Sequence, residues 1–370
     1  MKDKGRENFM FFNEVKSQSL IKKEIVVKYF DAWAKIMNKR SDRLGYIDLF
    51  SGPGNYEDGT DSTPIAIMKL ILKNNDYRNK FVTVFNDKNK RYIGKLESAI
   101  SNLENIKSLK YEPIFLNLEL DIQTSDIFAA TSIIPSLIFI DPWGYKGVTQ
   151  KLISSLTKDW GCDAILFFNY NRIRSGIKNP KVEEHMISLF GEKRYLKLRE
   201  ELNKSNCLDK ESLIMNEFRE AMSDIGIEYI LTFRFKNEDK EDTSHYIVFL
   251  SKNFTAHNIM KEVMASLRSD KIHGVAKFEY IPDKERQLSL KDLYENPLDE
   301  LRNELLTQYA GKTITFERLF YEHSKNKPFI KKNYKEVLTR LEEEGKILCN
   351  PDKSRRKKNT FSDKVVIKFL

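Results

Sequence analysis

Cysteine is scarce in this chain, with Cys162, Cys207 and Cys349 the only three in 370 residues. They lie far apart, form no Cys-x-x-Cys pair and have no histidine at ligand spacing. This excludes a disulfide scaffold and argues against a structural zinc site. Long hydrophobic runs are missing too. No apolar stretch approaches the ~20 residues that span a bilayer. Met1 to Asn13 is too charged and too poor in small residues for a secretory signal, so the expected address is the cytoplasm, away from membranes. The five histidines, His185, His245, His257, His273 and His323, form no His-x-x-x-His, His-x-His or His-x-Asp pair and are assigned no metal or catalytic role. Repeats and low-complexity tracts are absent. The chain does have a 41% share of hydrophobic residues and 24 phenylalanines, which excludes a wholly disordered chain, and its length favours two folded units.

Charge is uneven. Lys and Arg outnumber Asp and Glu by 63 to 54, a net +9. From Pro297 to Leu370 there are 17 basic and 11 acidic residues, so six of the nine net charges sit in the last fifth. A basic end of this kind suits phosphate backbones or an acidic protein surface.

Hydrophobic periodicity predicts an opening helix over Ser19 to Met37, where Leu20, Ile25, Val26, Tyr29, Phe30, Trp33 and Ile36 recur at helical spacing. Strands follow at Tyr46 to Phe50, Phe81 to Phe85, Glu112 to Leu116, Ser136 to Ile140 and Ala164 to Phe168. They alternate with helices at Pro64 to Lys73, Lys90 to Asn102, Thr124 to Thr131 and Gln150 to Leu156. Lys181 to Asp224 reads as mostly helical, and Tyr229 to Phe235 with His245 to Leu250 as a hairpin. This order predicts a Rossmann-like α/β fold, mainly parallel with a late antiparallel hairpin, over residues 1–282. Residues 283–370 change rhythm. Helices at Leu298 to Tyr309, Phe316 to Glu322 and Lys331 to Glu344, then strands at Lys346 to Cys349 and Lys364 to Phe369, predict a winged helix. Its third helix offers Lys331, Lys332, Asn333, Lys335 and Arg340 to a nucleic acid groove, and its wing offers Lys353, Arg355, Arg356, Lys357 and Lys358.

The chemistry is expected at the strand ends. Asp48-Leu49-Phe50-Ser51-Gly52-Pro53-Gly54 puts glycines directly after a strand, where the backbone can approach a ligand. No Lys-Ser or Lys-Thr follows the second glycine, so this is no Walker loop, and it lacks the three spaced glycines of a dinucleotide site. A short acidic turn suits S-adenosylmethionine. Asn86-Asp87 ends the next strand, where a carboxylate can take ribose hydroxyls, and Asn117, Glu119 and Asp121 follow the third, within expected reach of an adenine. Asp141-Pro142-Trp143-Gly144 ends the fourth strand. Asp141 and the Pro142 carbonyl can accept hydrogens from a flipped base while Trp143 stacks on it. The usual amino-methylating motif has two prolines before its aromatic, and here there is one. No cysteine follows a proline, which excludes a cytosine C5 nucleophile. Asn169-Tyr170-Asn171-Arg172 either lines the substrate mouth or starts a loop.

The chain resembles the three-Cys-motif partner protein family, TcmP. The matching features are Lys16 ahead of a helix with Tyr29-Phe30 and Trp33, the run Tyr46 to Gly54, Phe85-Asn86-Asp87, Phe139 to Gly144, His245-Tyr246 and the winged-helix end. The resemblance implies a class I methyltransferase-like domain joined to a winged helix, in a bacterial or phage protein. It also implies a neighbour with a three-cysteine, radical-S-adenosylmethionine-like motif, so the three cysteines here are not that motif. The expectation is S-adenosylmethionine-dependent methylation of DNA or RNA, at a base amino group or at a ribose 2′-hydroxyl with Lys16 or Lys146 assisting Asp141. The alternative is a catalytically silent subunit that recognises nucleic acid or that neighbour.

Overall fold

A computed structural model describes residues 17–56, 59–204, 209–237, 242–267, 271–272, 275–280, 296–357 and 361–370. The chain divides into two compact units, Met1–Met260 and Lys261–Leu370. The join expected at 282/283 lies outside the described residues.

The first unit is built on one sheet. Its strands are β1 (Leu44–Asp48), β2 (Phe81–Asn86), β3 (Ile114–Leu116), β4 (Ser136–Ile140), β5 (Asp163–Phe168), β6 (Tyr229–Lys236) and β7 (Thr243–Ser251). They lie in the order β3-β2-β1-β4-β5-β7-β6. The pairs from β3 to β5 are parallel, while β7 is antiparallel to both β5 and β6. This is the class I methyltransferase order, with its single reversed strand, as the late hairpin predicts. β1 and β4 are buried along their whole length, as central strands covered on both faces must be.

Helix α1 (Ser17–Met37) belongs to this covering layer, with Ile25, Val26, Tyr29, Phe30 and Trp33 buried. The Phe30 ring packs edge-on to Tyr46 of β1 and 5.2 Å from Phe81 of β2, and Tyr29 meets Phe249 of β7 at 4.8 Å. Between strands come α2 (Thr63–Lys73), α3 (Asn75–Lys80), α4 (Lys90–Ser101), α5 (Ile122–Ala130) and α6 (Gln150–Thr157). The long helical stretch resolves into α8 (Glu183–Phe190), α9 (Glu192–Asn203) and α10 (Lys210–Asp224). Helix α7 (Tyr170–Ile177) and α11 (Phe254–Ser266) go beyond the sequence reading, as does α3. Each of these three follows a strand or helix so closely that no run of turn residues announces it.

The second unit contains α12 (Pro297–Tyr309), β8 (Thr313–Thr315), α13 (Phe316–His323), α14 (Lys331–Glu343), β9 (Ile347–Asn350) and β10 (Val366–Phe369). These three strands are antiparallel in the order β8-β10-β9. Leu301, Leu305, Leu319, Tyr334, Leu338, Leu341 and Ile367 form its buried centre. This is the winged helix, with β8 as a short strand too polar to stand out in the sequence.

Candidate functional site

Strand register places the predicted chemistry on one edge. Asp48 is paired with Phe85 of β2 and Phe139 of β4, so Asp48, Asn86-Asp87 and Asp141 leave the sheet at one level. β1 and β4 are neighbours joined by no direct connection, which makes this the topological switch point where open α/β sheets hold ligands.

The chain after β1 turns sharply. Gly52 and Gly54 have φ of +64° and +95°, values that side chains disfavour. A Cβ on Gly54 would stand 3.1 Å from Leu96 Cδ1 and 3.3 Å from the Leu96 backbone, whereas one on Gly52 would meet nothing within 4 Å. Gly54 therefore lets the turn pack on α4, and Gly52 leaves backbone open to the cleft.

Asn86 is the pin of this turn. Its amide nitrogen donates to the carbonyls of Leu49 and Leu118, both at 3.1 Å, and its oxygen accepts from Leu118 N–H at 3.0 Å. The Ser51 hydroxyl donates to Asn86 O. Asn86 and Ser51 thus shape the turn, with their polar atoms directed to backbone. Asp87 accepts from Gly52 N–H at 3.0 Å through Oδ2 and from Asn89 N–H at 2.8 Å through Oδ1. Each oxygen keeps a lone pair for a further donor. Burial raises the Asp87 pKa, against those two backbone bonds. Asn117 donates to the Asp87 carbonyl. Asp121 caps α5 in a capping box with Thr124.

One cleft is lined by Asp48, Phe50, Gly52, Gly54, Asp141 and Trp143, with Ser51, Pro53, Pro142, Phe167 and Asn169 among the rest of its wall. A second pocket shares Phe50 and Trp143 with it and adds Asn86, Lys88, Leu118, Glu119 and Tyr145. Trp143 is 54% exposed and so is not a core residue. Asn169 caps α7 and lines the cleft, so its strand end does reach the mouth.

A residue outside the sequence reading completes the cleft. Lys22, on α1, places Nζ 2.5 Å from Asp141 Oδ2 and 4.8 Å from the centre of the Phe167 ring. Burial alone would lower its pKa. The Asp141 carboxylate, with smaller contributions from Tyr56 and Asp48, outweighs burial and raises it, so Lys22 is a cation. Lys16 lies outside the described residues. Lys146 pairs with Glu119, both more than half exposed. The lysine that meets Asp141 is therefore Lys22, and its place in an amphipathic helix far from any motif hid it. Asp48 is fully buried, accepting from Phe50 N–H and Tyr46 Oη; burial and then the Asp141 charge push its pKa up to about 8. His245 stacks on Phe235 and lies 4.5 Å from Phe167; burial, then Lys22, pushes it down to about 3, so it is neutral at pH 7. Among the described residues no group of His, Cys, Asp and Glu could hold a metal ion.

In the winged helix, Lys332, Arg355 and Lys357 are exposed. Lys331 pairs with Asp363, and Lys335 lies over the Phe316 ring at 5.7 Å. Arg356 is different. Its side chain is 7% exposed, paired with Glu342 and 4.3 Å from the Phe361 ring, which makes it part of the wing's interior. Lys358 lies outside the described residues.

The family model described as a GMT-like wHTH domain matches residues 279–354. No curated protein matches the chain. Among solved structures, a Legionella pneumophila protein of the DUF519 family model is similar at 11% identity, over 67% of this chain and 90% of that one, with a TM-score of 0.39. Magnesium protoporphyrin IX methyltransferase from Synechocystis, solved with bound S-adenosylmethionine, is similar at 13% identity over 68% and 92%, with a TM-score of 0.33. The methyltransferase domain of a bacterial Hen1 is similar at 13% over 62% and 98%, also at 0.33. Among the described residues, no helix is long and apolar enough to cross a membrane.

Proposed function

We propose that this protein is an S-adenosylmethionine-dependent methyltransferase acting on nucleic acid. The observation that carries the reading is the convergence of the open Gly52 turn, Asp141 and Trp143 on adjoining pockets at the sheet's switch point, with Asp87 held on the Gly52 N–H behind that turn. The residues fit the cofactor. Asp87 offers two oxygens with spare lone pairs for a ribose, Leu118 and Tyr145 offer apolar surface for an adenine, and Asp48 offers a buried carboxyl group that a cationic amino-acid end would ionise. When bound, S-adenosylmethionine supplies an electrophilic methyl group. The protein's own contribution is alignment of the acceptor, for which Asp141, the Pro142 carbonyl and Trp143 in the cleft lining are the candidates. The basic winged helix supports a nucleic acid substrate, held through Lys332, Lys335, Arg355 and Lys357.

Titration calorimetry with S-adenosylmethionine tests the reading. Binding is expected for the natural chain and for Asp141→Ala, and is expected to be lost in Asp87→Ala and Gly52→Val while thermal unfolding shows each variant folded. A folded natural chain that binds no cofactor would sink the enzyme reading and leave a recognition subunit, whose search would turn to a radical-S-adenosylmethionine-like neighbour.

A further inference from the structure

Lys22 and Asp141 form an ion pair inside the cleft, with side chains only 13% and 21% exposed. Lys22 is held from two directions. The Phe167 ring lies beside its ammonium, and two turns further along α1 the Tyr29 hydroxyl donates to Asp163 Oδ2 at 2.8 Å, tying the helix to β5. We propose that this pair seats a hydroxyl, and that the methyl acceptor is a ribose 2′-oxygen of RNA; the proposal rests on the methyl-transfer reading above.

The argument is one of hydrogen-bond complementarity. An exocyclic amino group presents two N–H donors and therefore needs acceptors facing it. Here Asp141 Oδ2 is already engaged by an ammonium, and that ammonium carries further N–H donors of its own. An amino group set against it would leave donors facing donors in a half-buried cleft, at the cost of unsatisfied polar groups. A hydroxyl both donates and accepts. It can accept from Lys22 and donate to Asp141, satisfying both members of the pair and aiming its remaining lone pair outward. In a nucleic acid, the internal sugar hydroxyl is the feature that separates RNA from DNA. Trp143 at the lip offers the attached base a stacking surface.

The step balances. As the bond from the ribose oxygen to the methyl carbon forms, the bond from that carbon to sulfur breaks, and its electron pair stays on sulfur, turning the sulfonium into a thioether. The hydroxyl proton passes to the Asp141 carboxylate and from there to water. Lys22 holds the acceptor oxygen and keeps the Asp141 carboxylate turned toward it.

Two measurements test this on the full chain. Fluorescence anisotropy compares a labelled oligoribonucleotide with the oligodeoxyribonucleotide of the same sequence, at saturating S-adenosylhomocysteine. The natural chain is expected to prefer RNA by about tenfold, the effect of one hydrogen bond to a charged group. Lys22→Met and Asp141→Asn are expected to lose that preference while keeping cofactor affinity, which also reports that they are folded. In the second measurement, methyl-tritiated cofactor is incubated with bacterial total RNA or DNA and the product is hydrolysed in alkali. Label is expected in RNA only, in alkali-resistant dinucleotides, because a 2′-O-methyl group blocks cleavage of its linkage. Label in mononucleotides or in DNA would overturn the hydroxyl proposal and leave methyl transfer standing, as would unchanged RNA preference and transfer in Lys22→Met. No label in either polymer, by protein that binds the cofactor, would also overturn it. Failure of the natural chain to bind the cofactor would instead overturn the reading beneath it.

Discussion

Asp48 is a carboxyl group shut away from solvent, and burial followed by the charge of Asp141 holds its pKa at about 8 against an ordinary 3.8. Below about pH 4 it is protonated in the folded and unfolded chain alike. Between about pH 4 and pH 8 the unfolded chain is ionised while the folded one keeps its proton, so the folded state binds more protons and stability falls as pH rises. Urea midpoints of the natural chain are expected to drop across that window, and those of Asp48→Asn to stay flatter. The same group links cofactor uptake to pH. A cation entering the cleft favours ionised Asp48, so S-adenosylmethionine affinity is expected to rise toward pH 8 with release of a proton. Calorimetry in buffers of different ionisation enthalpy measures that proton directly. Asp48, Gly52, Asp87 and Asp141 were all legible in the sequence, because short polar or glycine runs at strand ends stand out against apolar strands. Lys22 was not, since one lysine among several on a helix carries no local sign of which face meets a carboxylate.

At the scale of elements, α1 is both a cover for the sheet and the carrier of Lys22. Its attachment depends on Tyr29, whose hydroxyl shares Asp163 with Ser251 Oγ; burial raises the Asp163 pKa to about 6 despite these two bonds. Tyr29→Phe removes one donor from a buried carboxyl group and is expected to cost about 1–3 kcal/mol in chemical denaturation. The turn after β1 makes a second demand. Gly54→Ala adds a Cβ against Leu96 at a φ of +95°, with an expected loss of about 1–2 kcal/mol and weaker cofactor binding, since the turn must shift off α4. Most elements were readable, from α1 through the β6–β7 hairpin to the three winged-helix helices, because each buries one face with a clear period. Helices α3, α7 and α11 escaped because they start without a separating loop. Strand β8 escaped because a three-residue edge strand, Thr313–Thr315, has too few residues to show alternation.

For the whole molecule, the uneven charge becomes a testable property of the winged helix. Arg355 and Lys357 are exposed, so replacing both by alanine is expected to weaken nucleic acid binding evenly across sequences. The slope of log affinity against log salt should become shallower by about 0.9 for each duplex phosphate that is no longer neutralised, measured by anisotropy over a salt series. Arg356→Ala should act otherwise. It strands Glu342, 10% exposed at the end of α14, and is expected to lower the thermal stability of the winged helix instead.

By itself the sequence determined the two architectures and the strand ends where chemistry gathers, because periodicity, glycine turns and charge are local properties. Only the tertiary structure decided which of those groups work together. Register in the sheet set Asp48, Asp87 and Asp141 level, α1 brought Lys22 onto Asp141, and packing turned Asn86 and Arg356 inward as framework. These pairings join residues far apart in the chain, and their geometry exists only once the sheet has closed around them.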